Sequence, residues 1–538
     1  VAAIAGCLAI CFSGAIAVPI ALAGSTTCNP SAGPHADLVS CNLTGRNLAR
    51  LNLTYANLTN AIVTKADLQS TKLAKATLNG IKSGGVLGKP ASLPKSYRLD
   101  HGYLVGPRVN LTRATLQKLN LATVNLTGAN LSSANLSGAI LASANLTGAN
   151  LTNAIVTKAD LQSTKLASAT LNGIKSGGVL GKPASLPKSY RLDDGYLLGP
   201  RVNLTRATLQ KLNLATANLT GANLTSANLS GAILASANLT GANLTNAIVT
   251  KADLQSTKLA KATLNGIKSG GVLGKPASLP KSYRLDDGYL VGPRVNLTRA
   301  TLQKLNLATA NLTGANLTGV NLTGAILTSA SLSGANLSGA NLTGADLQSS
   351  TANKTVFTSA NLTSANIAHA SFRSASFVGS VLKYVSDRPL STSKTAYSET
   401  HLRASTATEP GVDLSNADLI HANLTGADLQ NALMDGSSLT GANLTQVDWQ
   451  GADLTGLDLA GAILATVDLS DVTLTNANLI GADLAGVTLT GSTDIDVQWT
   501  GANLAGASLD NATITGSNFT AANLGGASFK GTISGGLV

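Results

Sequence analysis

Residues 414–445 read LSNADLIHANLTGADLQNALMDGSSLTGANLT, and an apolar side chain returns at every fifth position, from Leu414 and Leu419 through Met434 to Leu444. Two residues earlier there is usually a small residue, as at Ala417, Ala422 and Ala427. The beat continues to Phe529, with Asp494 as its one polar interruption. A 3.6-residue helix would smear these side chains around its circumference, and a long strand needs period two. Within one pentad, however, alanine and leucine are two apart, so a short extended stretch points both the same way. The two residues that follow, commonly Thr-Gly, Ser-Gly or Thr-Ser, form turns. Each pentad is therefore one short strand and one corner. Repetition winds a coil with Ala and Leu inside, Asn, Asp, Thr and Ser outside, and backbone bonds between coils ~4.8 Å apart.

The same frame holds over 38–78, 111–171, 204–264 and 297–382, for 77 pentads and 385 of the 538 residues. Repeats of this kind decide an architecture before any other feature does. The pattern A-[ND]-L-[ST]-G, as at Ala422-Asn423-Leu424-Thr425-Gly426, resembles the pentapeptide-repeat family. That resemblance implies an all-β, right-handed quadrilateral β-helix with four pentads per coil; the spacing itself does not give four sides. On that count the chain would make ~19 coils, a rod of roughly 90 Å.

A longer period is nested in the first. Asn60-Ala61-Ile62-Val63-Thr64-Lys65 recurs from Asn153 and from Asn246, a 93-residue unit in three near-identical copies. Each copy leaves the pentads, at 80–107, 173–200 and 266–293. In the first, Tyr97-Arg98-Leu99 and Tyr103-Leu104-Val105 flank Asp100-His101-Gly102, a hairpin signal. Each unit holds 13 pentads, one more than a multiple of four. Excursions that return to the corner they left would step by one face per copy; excursions that add strands to the coil would line up on one side. Both arrangements stay open. The domain reading is residues 1–23 as signal or anchor, 24–59 as the start of the β-helix, 60–382 as β-helix with its three excursions, 383–412 as a polar surface loop and 413–538 as uninterrupted β-helix.

Residues 1–23 carry no charge, and Ala21-Leu22-Ala23 forms an A-x-A cleavage pattern. A secretory signal is expected, with an uncleaved membrane anchor as the alternative, so membrane contact is expected only if this stretch is retained. Cys28 and Cys41 form an even pair after the signal, which favours a disulfide in an exported chain; two free thiols are the plainer reading. The localisation expected is extracytoplasmic: secreted, cell-surface, periplasmic or lumenal.

Charge is uneven. Through residue 338 there are 31 Lys+Arg against 9 Asp+Glu, and from 339 onward 7 against 17, within a net charge of +12. The candidate polyanion contacts are Lys82, Lys89, Lys95, Arg98 and Arg108 in the first copy. Their counterparts are Lys175, Lys182, Lys188 and Arg191 in the second, and Lys268, Lys275, Lys281 and Arg284 in the third. Solvated faces that confer solubility are the plain reading; attraction to wall polymers or acidic glycans, or pairing of rods, is the sharper one.

No catalytic, cofactor or metal site emerges. Ser83-Gly84-Gly85-Val86-Leu87-Gly88-Lys89-Pro90 lacks the leading glycine of a phosphate loop and has proline at its Ser/Thr position. His35, His101, His369, His401 and His421 show no ligand spacing. Asn-Leu-[Ser/Thr] occurs 24 times from Asn42, Asn52 and Asn57 onward. Each is a formal glycosylation acceptor, but the repeat itself spells the triplet. The expectation is a non-enzymatic exported structural or interaction rod that assembles end to end with itself. The runner-up is a module that binds an anionic envelope polymer or glycan through its cationic excursions. Third is a topoisomerase-directed DNA mimic of the kind found among cytosolic relatives, which the basic half and the export signal oppose. Nucleic acid is not an expected partner.

Overall fold

The computed structural model describes residue 28, residues 33–385 and residues 412–536. The chain divides into two compact units, Val1–Ile174 with Gly178–Lys188, and Lys175–Gly177 with Ser189–Val538. The expected signal or anchor at 1–23 lies outside the described residues.

One pentad of the first unit explains the repeat. Asn145 N–H donates to the Val124 carbonyl at 2.9 Å, Leu146 N–H to Lys165 at 2.8 Å and Gly148 N–H to Ala167 at 2.9 Å. Ala149 N–H closes the turn on the Leu146 carbonyl at 3.0 Å. The remaining donor, Thr147 N–H, goes to Asn145 Oδ1 at 3.1 Å. All five main-chain donors are satisfied, as buried or half-buried peptide groups require. Asparagine or aspartate is frequent here because its side chain reaches the donor the ladder misses, although Ile140 and Lys165 hold the same ladder position without an acceptor. Gly148 sits at φ 67°, the left-handed corner that glycine adopts without strain.

Parallel pairings repeat every twenty residues, as Asn110–Asn130–Asn150 in the first unit and Asn203–Asn223–Asn243 in the second. Four pentads therefore make one coil, and each unit is a right-handed quadrilateral β-helix. Leucine and alanine fill the interior: Leu126, Ala129, Leu146 and Ala149 are fully buried. In the second unit Phe357 stacks on Phe377 at 4.7 Å, and Trp499 stacks on Phe519 at 5.7 Å. Three strands in successive coils, β7 (Thr493–Ile495), β8 (Thr513–Thr515) and β9 (Ile533–Gly535), pair in parallel.

The excursions begin later than the sequence suggests. Residues 80–92 are still coil, since Ile62 pairs with Lys82, Asp67 with Leu87 and Lys72 with Ser92. The departure is the hairpin of β1 (Arg98–Asp100) and β2 (Tyr103–Val105), with β3 (Arg191–Asp193) and β4 (Tyr196–Leu198), and β5 (Arg284–Asp286) and β6 (Tyr289–Val291), as its repeats. His101 and Gly102 both have positive φ, 44° and 77°, as a two-residue hairpin turn requires. Lys82 then pairs with Asn110, so this coil has 28 residues instead of 20. In the second unit the second copy returns on the ladder Lys175–Asn203–Asn223–Asn243. The third returns one face later, on Asn228–Ile248–Lys268–Asn296. The second and third excursions thus supply strands to the coil, as the second arrangement supposed, yet step by one face instead of lining up, as the first supposed.

Coil also extends further into the expected loop at 383–412. Val385 is buried, and Val412 accepts from Leu433 N–H at 3.0 Å. Residues 386–411 lie outside the described residues, while Ser371 pairs with Asp413 and Ser376 with Asp418 in the same unit.

Asp494 occupies an inward position and is fully buried. Ser492 Oγ donates to its Oδ2 at 3.0 Å, and Ser517 Oγ donates to its carbonyl at 2.7 Å. Burial pushes its carboxyl up to about 7, against a weaker pull from the Ser492 hydroxyl. The folded state therefore holds a proton that the unfolded chain releases near its ordinary value of 3.8. This group's stabilisation is complete below that value and is lost as pH rises toward 7, a span on the order of 4 kcal/mol. Urea denaturation at pH 5 and pH 8 should show weaker coils at pH 8, and Asp494→Asn should flatten the difference. At a plain core position, Leu229→Ala should cost about 3 kcal/mol in the same assay, and Leu229→Asp should prevent folding of its coils.

Candidate functional site

The widened coil of each copy leaves peptide groups of the next coil without their usual partners, and hairpin side chains take those places. In a regular coil a carbonyl at the asparagine position accepts from a leucine N–H one coil earlier, as Asn145 does from Leu126 at 2.7 Å. Above the second hairpin, Arg191 Nη2 donates to the Asn213 carbonyl at 3.0 Å and Nη1 to the Ala215 carbonyl at 3.1 Å. Arg284 makes the same pair to Asn306 and Ala308, both at 3.0 Å, and Arg98 Nη2 reaches Asn120 at 2.6 Å. One planar guanidinium thus replaces two ladder donors. Tyrosine supplies an acceptor: Thr115 N–H donates to the Tyr103 hydroxyl at 3.1 Å, and Thr208 N–H to that of Tyr196 at 3.2 Å.

A second tyrosine is locked beneath the hairpin. The hydroxyls of Tyr97, Tyr190 and Tyr283 donate to the carbonyls of Pro107, Pro200 and Pro293 at 2.7–2.8 Å. Burial pushes all three phenols up, with Arg108, Arg201 and Arg294 pulling the other way. Where hairpin meets coil a groove remains. In the second copy it has about 310 Å³ between Tyr190, Arg191, Thr216 and Asn218, and in the third about 230 Å³ between Tyr283, Arg284, Thr309 and Asn311.

The candidate polyanion contacts divide into two kinds. Lys82, Lys89, Lys95, Arg108, Lys175, Lys182, Lys188, Lys268, Lys275 and Lys281 are exposed. Arg98, Arg191 and Arg284 are only half exposed and bind main chain, and each lies by a carboxylate, Asp100 at 3.2 Å, Asp193 at 3.8 Å and Asp286. Their charge is therefore partly neutralised and fixed in place. Cys28 and Cys41 are joined as a disulfide with their Cα atoms 5.6 Å apart. Asn42, Asn52 and Asn57 lie in the outward ladders. Their Oδ1 atoms accept from Thr44, Thr54 and Thr59 N–H at 3.1–3.2 Å, so the triplet Asn-Leu-Thr serves the coil itself. His35 stacks on Tyr55, and His101 Nδ1 lies 2.6 Å from Asp100 Oδ1. Among the described residues no three His, Cys, Asp or Glu side chains converge to hold a metal ion, and no helix is long and apolar enough to cross a membrane.

Sequence reading missed the groove and the role of the hairpin arginines. The signal was present as Tyr-Arg-Leu-Asp repeated in three copies, but its partners are main-chain carbonyls some 22 to 24 residues on.

A family model of pentapeptide repeats (8 copies) matches residues 36–73, 108–142, 144–175, 201–234, 237–268, 294–379 in three overlapping segments, 413–451, 452–491 and 500–533. No curated protein matches significantly. Among solved structures, QnrB1, a plasmid-mediated fluoroquinolone resistance protein, is 15% identical, with 44% of this chain and 93% of that one covered and a TM-score of 0.19. HetL, a pentapeptide repeat protein from Nostoc sp. strain PCC 7120 involved in heterocyst differentiation regulation, is 24% identical, with 59% and 90% covered and a TM-score of 0.10. A pentapeptide repeat protein from the Arabidopsis thaliana thylakoid lumen is 33% identical over 19% of this chain and 63% of its own, with a TM-score of 0.11.

Arg284→Met should leave the Asn306 and Ala308 carbonyls without donors, at a cost of roughly 2 kcal/mol in urea denaturation. Arg284→Lys should recover little, because an ammonium lacks the planar fork that spans two carbonyls.

Proposed function

The chain belongs to the pentapeptide-repeat family, and from that premise we propose that it is an exported structural and interaction scaffold that associates with further copies of itself. The observation that carries this reading is where the side chains go. Leucine, alanine and the large rings close the interior, and the groups able to bind anything lie on the outside. Export is supported by the Cys28–Cys41 disulfide, since such bonds persist in oxidising compartments, together with the uncharged run at residues 1–23.

Self-association is supported by the coil of residues 517–536. Leu504 and Leu509 are fully buried one coil earlier, whereas Leu524 and Phe529 at the same beat are 37% and 41% exposed, and Ile533 is 66% exposed. An exposed apolar surface of this kind is what a second copy of this chain would cover.

A second reading is favoured by the exposed lysines of the excursions. Lys82, Lys175 and Lys268 stand on outward ladders, and such a surface attracts an anionic envelope polymer. Sedimentation and electron microscopy of the purified chain test the first reading. Concentration-dependent association that Leu524→Glu with Ile533→Glu abolishes is the expected result; a monomer at every concentration and salt level overturns it.

A further inference from the structure

We propose that each 93-residue copy builds a binding groove for an acidic sugar residue, of the uronate class, between its hairpin and the coil above. The proposal rests on the second reading above and assigns it a discrete site. The groove of the second copy offers an aromatic face and several donors. Tyr190 is held by its bond to the Pro200 carbonyl, so its ring needs no ordering when a sugar ring lies against it. Arg191 has five N–H groups, of which two are taken by the Asn213 and Ala215 carbonyls. Asn218 uses its Oδ1 for Thr220 N–H and Oγ1, at 3.2 and 2.7 Å, which leaves its amide N–H groups for a ligand. The hydroxyls of Ser189 and Thr216 complete the rim, and no carboxylate lines the groove.

Donors over a fixed ring suit a ligand that is rich in acceptors, flat on one face and anionic, whose acid group would share the guanidinium with the neighbouring Asp193 or Asp286. A sugar carrying a carboxylate has all three properties. A bare phosphate has no use for the ring, and a neutral sugar leaves the charge of the guanidinium unmatched. About 310 Å³ gives room for such a residue. The third copy repeats the arrangement with Tyr283, Arg284, Thr309 and Asn311. The first has Tyr97, Arg98, Thr123 and Asn125 at the same places, with the same tyrosine bond and, for Arg98, the bond to the Asn120 carbonyl. Within the second unit the two grooves lie one face apart and about 20 Å apart along the coil axis, from the rise per coil. Two such sites on one body raise the avidity for a polymer of repeating acid units beyond that of either alone.

The groove threonines provide a variant that leaves the fold intact. Thr123, Thr216 and Thr309 sit at left-handed corners, and Asp471 and Asp496 occupy equivalent corners elsewhere. The triple variant Thr123→Glu, Thr216→Glu, Thr309→Glu places a carboxylate at each groove. Calorimetric titration of the full chain with glucuronate and with an oligogalacturonate, at low salt and at about half-molar salt, compares it with the parent. Saturable binding near three glucuronates per chain is expected to persist at high salt and to weaken at least tenfold in the variant. Glucose should not compete. The proposal is overturned by unchanged binding in the variant, by no glucuronate binding, or by inorganic triphosphate binding as tightly. Retention of oligogalacturonate that vanishes at high salt and ignores the variant leaves the cationic-surface reading standing and removes this one. Absence of any retention, even at low salt, removes both.

Discussion

Everything in this molecule depends on a peptide group finding its partner twenty residues away. Side chains inside the coil are mostly leucine and alanine and carry little directional chemistry, so the ladder of N–H and carbonyl groups sets the register. Asn145 shows how completely the accounts close: three donors of its pentad go to neighbouring coils, one closes the turn, and the last goes to the Asn145 side chain. That last bond makes asparagine and aspartate structural residues here. It also explains the many glycosylation triplets without invoking a glycan.

The same requirement explains the hairpins. A coil lengthened by eight residues cannot present every strand to the next coil, and carbonyls such as those of Asn213 and Ala215 would otherwise be orphaned. Arginine and tyrosine of the hairpin stand in for the missing peptide groups. What looks like an ornament on a regular coil is thus a splice that keeps the ladder satisfied. The groove beside it follows from side chains now filling space where backbone would have run.

Much of the architecture was legible because it is periodic. The five-beat of leucine, the alanine two places before it and the turn pair after it predict strand, corner and inward face residue by residue, and Asp494 stands out as the exception. The hairpin was legible too, from Tyr97 to Val105 around its turn. Four sides per coil were not: five-residue spacing is equally compatible with other polygons, and only the pairing of Asn130 with Asn150 fixes the number. Nor was the work of Arg98, Arg191 and Arg284, because a cation bound to main-chain carbonyls has the same one-letter signature as one waving in water. Long-range pairing with backbone leaves no mark on the partner's side chain, so composition assigns such arginines to the surface by default.

The quarter-step of the excursions has a consequence for how such a chain changes over generations. Near-identical 93-residue copies are prone to unequal exchange, and gaining or losing one whole copy keeps every seam matched. Yet within the second unit one copy moves the hairpin on by one face, a quarter-turn of the coil. Copy number therefore acts as a dial that sets which face of the coil the next hairpin occupies.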